Sequence, residues 1–431
     1  MLVISGGSVT NIHIIGGGTV AHVRPHLAIA AVAYGTTARR IYELCMPVNY
    51  DRLAYLHLTR MASGGEGDLE TNEDVRELLD KLVEDPATKV IFMPVALCDF
   101  EGSVLGPDGE STLSGKNQPR LRSGDGSATL VLMAAEKLIG SIRKKRKDIF
   151  LVGFKTTAGM TENDQYLAGL ELLKKASCNL VLVNDVHTRL NIIVAPELAR
   201  YAVTQDREIA LRELVTMMNS RSRLTFTRTT VVDGELIPWG SEAVPQALRT
   251  VVEWCVEHGA YKPFLDVTVG HFAFREMDKI LLSSRRKQNF NRPECRDLVK
   301  VFVDGESMTA HGAKPSAGTP SQYAVLSHFP EFDCIVHFHC PLRAGSKVVV
   351  RSQKEIECGS AECGENTWKG MSRFGNLAAV MLDQHGPNII FSSKGDPEEV
   401  TKFIAENFDL SVRSDGIRSE QEEAASVKVE S

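Results

Sequence analysis

Three histidines in the second half of the chain have the types and spacing that suit a metal ion. His337 and His339 lie two residues apart within an apolar segment, and His385 follows another apolar run. Side chains two apart in a strand point to the same face, so the first pair can share one ion. Three imidazoles would leave a coordination position open for a substrate oxygen, as a catalytic zinc requires. For two histidines alone, cross-strand polar contacts are the favoured interpretation.

Glycine is dense near the start of the chain. Gly6 and Gly7 follow a strand-like segment, and Gly17 and Gly18 precede a predicted helix. Loops of this kind bring backbone N–H groups up to a phosphate at a helix N-terminus. The spacing matches neither a P-loop nor the dinucleotide-binding fingerprint, so turns that need positive φ are an equal interpretation.

Polar residues follow several strand-like runs of the first half, and a basic loop lies between them. Residues at the carboxyl ends of successive parallel strands line the crevice in which doubly wound sheets bind ligands. The sequence therefore predicts one ligand pocket there. Its predicted members are Asp99, Phe100, Lys116, Phe154, Lys155, Asn184 and Asp185.

Short apolar runs alternate with helical patterns in the first half, which predicts a doubly wound, mostly parallel, Rossmann-like α/β sheet. Predicted strands cover 89–95, 149–154 and 179–184, and predicted helices cover 72–84, 126–145 and 161–176. The pattern changes near residues 220–245, and a helix is predicted at 244–258. We therefore expect domains at 1–230 and 241–412, followed by a disordered polar tail at 413–431.

Composition narrows the class of protein. A length of 431 residues exceeds what one core organises, which favours two domains. A net charge of −6 argues against nucleic-acid binding, and no apolar run reaches the length of a membrane span. The start lacks the features of a secretory signal, so we expect a cytoplasmic protein. Nine scattered cysteines indicate free thiols rather than a disulfide framework.

The order of segments in residues 1–220 resembles the phosphopantothenate–cysteine ligase family. The Gly-rich start, Ala96-Leu-Cys-Asp-Phe100, the loop with Lys116, Gly153-Phe-Lys155 and Val183-Asn-Asp185 fall on its motifs. The resemblance implies ATP or CTP with Mg²⁺, which activate the carboxylate of 4′-phosphopantothenate for attack by cysteine. It gives Lys116 and Lys155 catalytic roles and gives the other pocket residues ligand-binding roles. A lysine can stabilise charge on a transferring phosphoryl group.

The same resemblance has a gap beside the second glycine pair. The family's asparagine and its Ser-Ser-Gly segment are replaced by Thr19 and the residues that follow it. Arg24, with His22 and His26, could supply polar groups for a phosphate or carboxylate, because arginine offers a bidentate fork. A different substrate is an equal interpretation.

Residues 244–411 resemble the class II aldolase/adducin family. Gly270-His-Phe-Ala-Phe-Arg275, Pro315-Ser-Ala-Gly-Thr-Pro320, the His337-Phe-His339 pair and Gln384-His-Gly386 fall on its motifs in order. The resemblance implies an α/β/α domain in which His337, His339 and His385 hold Zn²⁺. In the family's sugar-phosphate aldolases, zinc polarises substrate oxygens while a glutamate moves the proton.

Two catalytic positions of that family are changed here. The glutamate is Gly318 and an asparagine is His271, while Ser316 keeps one hydroxyl of a phosphate-binding pair. A glycine cannot accept a proton, and loss of a positioned base costs about 10²- to 10⁴-fold in rate. Glu365, or its neighbour Glu362, is predicted to act as the base instead. Ser283 and Ser284, followed by arginines, are predicted to bind an anion, and a solvated basic loop is an equal interpretation.

Three hypotheses follow for the whole chain. The first is a ligase of coenzyme A chemistry that binds nucleotide and small phosphorylated metabolites. The second is a zinc-dependent lyase or aldolase acting on a phosphorylated sugar. The third is a non-catalytic binding or assembly protein, which Thr19 and Gly318 favour. Both resemblances imply a homo-oligomer, while charge and hydropathy predict no membrane or nucleic-acid partner.

Overall fold

The computed structural model describes residues 10–46, 51–106, 109–122, 124, 126–305 and 307–418. The chain forms two compact units: Met1–Val194 with Ala202–Met218, and Ala195–Tyr201 with Asn219–Ser431. The second unit thus includes a short segment from the range that the sequence assigns to the first domain. The predicted glycines Gly6 and Gly7 lie outside the described residues.

The first half of the chain is built on a seven-stranded sheet with the order β11-β10-β9-β8-β5-β1-β4. Its core from β9 to β4 is parallel, and β10 runs antiparallel to β9. The predicted mostly parallel α/β fold is therefore confirmed. Two hairpins, β2-β3 and β6-β7, lie outside this sheet. The strands are β1 (Thr10–Gly16), β2 (Val20–Arg24), β3 (Leu27–Ala30), β4 (Arg52–Leu58), β5 (Thr88–Phe92), β6 (Phe100–Val104), β7 (Leu130–Ala134), β8 (Phe150–Thr157), β9 (Leu180–Asp185), β10 (Asn191–Val194) and β11 (Arg200–Thr204).

Local sequence explains where the helices of this half begin. Thr71 caps the second helix by accepting the N–H of Asp74, whose carboxylate accepts the N–H of Thr71 in return. The helix predicted at 126–145 is wrong in its first part, because Leu130–Ala134 pairs as a strand with Phe100–Val104. The helices are α1 (Thr36–Cys45), α2 (Asn72–Glu84), α3 (Ile139–Lys145), α4 (Glu162–Ala176) and α5 (Arg207–Arg221).

The second half contains a ten-stranded mixed sheet with the path β12-β18-β17-β16-β15-β19-β23-β22-β20, in which β21 also pairs with β22. A separate two-stranded sheet consists of β13 and β14. The strands of this half are β12 (Arg228–Val232), β13 (Pro263–Phe264), β14 (Val267–Thr268), β15 (His271–Met277), β16 (Ile280–Ser284), β17 (Leu298–Asp304), β18 (Ser307–His311), β19 (Cys334–His337), β20 (Val350–Arg351), β21 (Ser372–Phe374), β22 (Leu377–Leu382) and β23 (Gly386–Phe391). The helices are α6 (Gln246–Glu257), α7 (Thr319–His328), α8 (Ala361–Gly370) and α9 (Pro397–Asn407).

Side chains alternate across this sheet to form two cores. Val336 and Ile389 belong to a core shared with α6 and α9, whereas the neighbouring Ile335 and Ile390 pack with residues of α7 and Trp368 of α8. Alternating burial on both faces gives a helix–sheet–helix sandwich. The predicted α/β/α arrangement is confirmed.

Two sequence-level expectations concern the chain as a whole. None of the nine cysteines, all of which lie in the described ranges, forms a disulfide bond. Within the described ranges, no helix is both long and apolar enough to cross a bilayer.

Candidate functional site

Three neighbouring segments of the second sheet bring the predicted histidines together. His337 ends β19, His339 follows it by two residues, and His385 lies in the turn between β22 and β23. One ring nitrogen from each residue lies within 4.8 Å of the others. The three residues are 1%, 4% and 5% exposed, respectively. The structure thus forms a buried three-histidine cluster from residues that the sequence singled out.

Each imidazole of the cluster is held at its Nδ1 atom by an acceptor. His337 donates to the backbone oxygen of Pro387 (2.7 Å), His339 to Asp415 Oδ2 (2.8 Å) and His385 to Gln353 Oε1 (2.8 Å). A proton held at Nδ1 leaves the lone pair of a neutral imidazole on Nε2. Outer acceptors of this kind fix tautomer and ring orientation in metal sites.

The cluster contains a buried polar atom without a partner. His337 Nε2 has no hydrogen bond among the described residues although it is inaccessible to solvent. Buried nitrogens left unpaired are unfavourable in a folded protein, so such an atom needs an explanation. Three Nε2 atoms that converge, with every Nδ1 engaged, form a donor set that fits a divalent ion such as Zn²⁺.

Burial dominates the electrostatics of two of the three imidazoles. Burial, together with the other histidines, holds the pKa values of His337 and His385 well below the usual range. Burial alone would raise the pKa of Asp415, but the hydrogen bond and charge of His339, with those of Arg413, lower it to about 2. An ionised carboxylate therefore faces His339 at neutral pH, and neutral imidazoles are the form that binds a metal.

Asp415 is the residue that sequence reasoning missed. The predicted tail begins at residue 413, yet residues 413–418 are described, and the Asp415 side chain is 0% exposed. The expectation of disorder is therefore wrong for this segment, because Arg413 donates twice to Asp415 and Ser414 donates to the backbone oxygens of His339 and His385. The scarcity of apolar side chains was the only local signal in the sequence, and it predicted disorder. The hydrogen bonds to the histidine cluster order the segment in spite of that composition.

The hydroxyl groups of the serines predicted to bind an anion form hydrogen bonds within the protein. Ser283 and Ser284 are 0% exposed. The hydroxyl of Ser283 bonds with Gln322 and Thr319, and that of Ser284 accepts the N–H of Phe272. Ser316 Oγ accepts the N–H of Gly318. The anion-binding role of these serines stays a prediction. Their observed hydrogen bonds hold neighbouring segments of the site in place.

Glu365, the predicted replacement base, lies on α8 with half of its side chain exposed and pairs with Lys369 one turn along. Its neighbour Glu362 accepts the backbone N–H of Thr225 at 3.1 Å. Neither belongs to the group of side chains whose ligand atoms converge. A proton-transfer role for Glu365 stays a prediction.

In the first half, the loop lysine is bound to a carboxylate. Lys116 is 48% exposed and pairs with Glu70, whose other oxygen lies 3.2 Å from His22 Nε2. Burial would raise the pKa of Glu70, but hydrogen bonds from Lys116 and His22 lower it. Arg24 is 6% exposed and donates to Val23, Leu113 and Thr112, so its guanidinium stabilises the local backbone.

The second glycine pair lies in a crowded loop. A Cβ at Gly17 would lie 2.1 Å from Thr59 Oγ1, and one at Gly18 would lie 1.9 Å from the backbone oxygen of Ala31. Thr19, at the gap in the ligase resemblance, is fully buried and donates to Asn72, while it accepts the N–H of Cys98. Close packing is therefore a sufficient reason for these glycines.

The remaining predicted pocket residues lie at the ends of β8 and β9 and at the start of β6. Thr156 and Asn184 are register partners across β8 and β9, beside Lys155 and Phe154. Asp185 is 2% exposed and accepts N–H groups of Thr188, Met160 and His187. The hydrogen bonds from Thr188 and Met160 lower the pKa of Asp185 far below the usual range. A separate pair joins Asp99 to Lys137, and Phe100 beside it is 47% exposed.

Comparisons with known proteins support the class of the second half. Residues 250–390 match the family model of the Class II Aldolase and Adducin N-terminal domain. This confirms the resemblance predicted from the histidines and their flanking segments. No curated protein matches the chain.

Several solved structures are similar to parts of the chain, and the three described next are each 20% identical or less. The DNA/pantothenate metabolism flavoprotein from Streptococcus pneumoniae is 20% identical, with 49% of this chain and 99% of that chain covered and a TM-score of 0.42. The C-terminal domain of the coenzyme A biosynthesis bifunctional protein CoaBC is 14% identical, with 48% and 93% covered and a TM-score of 0.35. An L-fuculose 1-phosphate aldolase is 19% identical, with 44% and 97% covered and a TM-score of 0.29.

Proposed function

We propose that the second half of the chain is a Zn²⁺-dependent lyase or aldolase domain acting on a small metabolite, with a phosphorylated sugar as the first substrate class to test. The observation that carries the proposal is the unpartnered, buried His337 Nε2 within three imidazoles whose Nδ1 atoms are all engaged. A divalent ion in such a site supplies a Lewis acid that polarises a substrate oxygen. The chain's own part is to hold three rings in one orientation and to exclude water.

The proposal is tested by metal analysis of the full chain purified without chelator. We expect close to one equivalent of zinc in the natural protein and less than a tenth in His337→Gln. His258→Gln is a matched control, because His258 lies on α6's C-terminal end, stacked on Trp254 and outside the cluster. A natural protein with less than a tenth of an equivalent, which also fails to take up added Zn²⁺, would refute the proposal.

For the first half we propose nucleotide-dependent ligase chemistry with ATP or CTP and Mg²⁺, as the resemblance to phosphopantothenate–cysteine ligase implies. It is supported by the parallel β8 and β9, whose carboxyl ends carry Lys155 and Asn184 in neighbouring register. The half-exposed ammonium of Lys116 is a second support, since a substrate phosphate could replace Glu70 as its partner.

The ligase proposal is tested by pyrophosphate release from protein supplied with cysteine, 4′-phosphopantothenate, Mg²⁺ and either nucleotide. We expect release that falls at least 100-fold in Lys116→Gln, since loss of a preorganised charge contact costs about 10²- to 10³-fold. Lys175→Gln is the matched control, because Lys175 is an exposed lysine paired with Glu171 on α4. No release with either nucleotide would contradict the proposal.

We also propose a cytoplasmic location and a homo-oligomer. Light scattering of the purified protein tests the oligomeric state. The alternative of a non-catalytic assembly protein predicts metal or nucleotide binding without turnover of any substrate in either assay.

A further inference from the structure

Gly318 and His271 are matched to each other through space. A Cβ at position 318 would lie 2.4 Å from His271 Nε2 and 2.7 Å from its Cδ2. The backbone at Gly318 has φ −78°, which any residue adopts, so conformation does not require glycine there. The imidazole therefore excludes a side chain at 318, and a glutamate could not share the site with this ring. The two departures from the aldolase pattern are therefore linked, because the ring of His271 fills the space that a side chain at position 318 would need.

The hydrogen bonds of His271 define which nitrogen carries its proton. Gln322 Nε2 lies 2.6 Å from His271 Nδ1, while Gln322 Oε1 accepts from Ser283 Oγ at 3.0 Å. With its oxygen engaged by Ser283, the amide donates to Nδ1. A neutral imidazole that accepts at Nδ1 carries its proton on Nε2. His271 thus presents an N–H donor rather than a metal-binding lone pair, which agrees with its absence from the converging ligand group.

His271 lies beside the three-histidine cluster in a buried position, with its Nε2 atom against Gly318. His271 is 8% exposed, and its ring stacks on that of His337 with 4.5 Å between centroids. Among the described residues, Gln322 is the only hydrogen-bond partner of this imidazole. Gly318, against which the Nε2 atom packs, is the N-cap of α7. A helix N-terminus favours negative charge, so two independent features point to an anion here.

We propose that His271 donates its Nε2–H to an oxygen of a small carboxylate that carries a second oxygen on the adjacent carbon, such as a 2-hydroxy acid. A divalent ion held by the three histidines would take the other oxygen, so this inference rests on the metal site proposed above. His271 acts as a binding and orienting residue, and no proton is transferred by it. The proposed substrate class is therefore a small anion with two neighbouring oxygens.

The test uses full-length protein loaded with Co²⁺ and titrated with glycolate, followed by the visible absorption of the ion. His271→Phe keeps an aromatic ring against His337 but removes the donor, and we expect glycolate to bind at least tenfold more weakly with unchanged Co²⁺ content. Hydrogen bonds to charged groups are worth about tenfold or more in affinity. Gly318→Ala should give a similar loss, because its Cβ displaces the ring.

Three controls make the result specific. Gly240→Ala adds a methyl where no atom lies within 4 Å and should bind glycolate as the natural protein does. In the background of His271→Ala, which leaves room for the methyl, Gly318→Ala should cause no further loss, since neighbouring changes that act through one group are not additive. Ethylene glycol, the neutral diol, should not bind at glycolate concentrations.

Several outcomes would overturn the inference. Equal glycolate affinity in His271→Phe would remove the donor role, and loss of Co²⁺ from that variant would make His271 a ligand instead. Equal binding of ethylene glycol would remove the anionic substrate class. A natural protein that binds no Co²⁺ would instead reject the metal site itself, and with it the inference.

Discussion

Replacement of Asp415 by asparagine tests whether the C-terminal segment supports the histidine cluster. The carboxylate lies 2.8 Å from His339 Nδ1 and its side chain is 0% exposed, so the bond is fully shielded from solvent. A hydrogen bond to a charged group contributes about 1.5–3 kcal/mol, which corresponds to roughly a 10- to 150-fold change in an equilibrium. Loss of an outer carboxylate from a metal-bound histidine typically costs about 10- to 100-fold in metal affinity. We therefore expect Asp415→Asn to bind Zn²⁺ between 10- and 100-fold more weakly.

The assay is competition for Zn²⁺ between the protein and a chelator of known affinity at pH 7.5. Asp409→Asn is the matched control, because Asp409 lies in the same segment but bonds to Ser411 instead of a histidine. Circular dichroism establishes that both variants are folded. Zinc affinity of Asp415→Asn within twofold of the natural protein would refute the reasoning, as would an equal loss in Asp409→Asn.

Three further predictions concern stability. Burial and the neighbouring His57 lower the pKa of His13 to about 4. As pH drops from 6.5 toward 4, this histidine therefore gains a proton in the unfolded state but not in the folded state. The free energy of unfolding should fall by up to about 3 kcal/mol over that range. Urea unfolding at several pH values measures this dependence, which His13→Gln should flatten. Thr71→Ala removes the cap of α2 and should cost about 1 kcal/mol in urea unfolding. Chelator treatment should lower the melting temperature, since ligand at 100 times its Kd adds about 2.7 kcal/mol.

Each of these has a contrary result. An unchanged pH slope in His13→Gln would show that other groups cause the acid sensitivity. A Thr71→Ala variant as stable as the natural protein would mean that α2 depends on packing alone. A melting temperature that ignores both chelator and added zinc would contradict metal binding.

Local patterns predicted those parts of the site that follow from periodicity. His337 and His339 share a face because strand side chains alternate, and this was visible in the sequence. The strand Leu130–Ala134 was not visible, because its partner in the hairpin lies about thirty residues away and its composition also suits a helix. Tertiary pairing overrides such weak local preferences.

Contacts between distant segments account for what the sequence could not show. Asp415 reaches His339 across 76 residues, and its surroundings in the chain are polar and low in apolar content. Gly318 and His271 are related by steric contact and lie 47 positions apart in the chain. In the sequence they therefore appeared as two unrelated departures from the aldolase pattern. Neither periodicity nor composition carries information about which distant side chains will meet.

The buried ion pair between Glu197 and Arg221 bears on how this polypeptide can be dissected. Both side chains are 0% exposed, and Arg221 also donates to the backbone oxygens of Gln353 and Lys354. Gln353 is the residue that holds His385. A fragment starting at residue 219 would keep the guanidinium without its carboxylate, an imbalance of about 3–5 kcal/mol. An expression boundary at residue 219 would therefore separate the half that holds the histidine cluster from a buried carboxylate that the earlier part of the gene encodes.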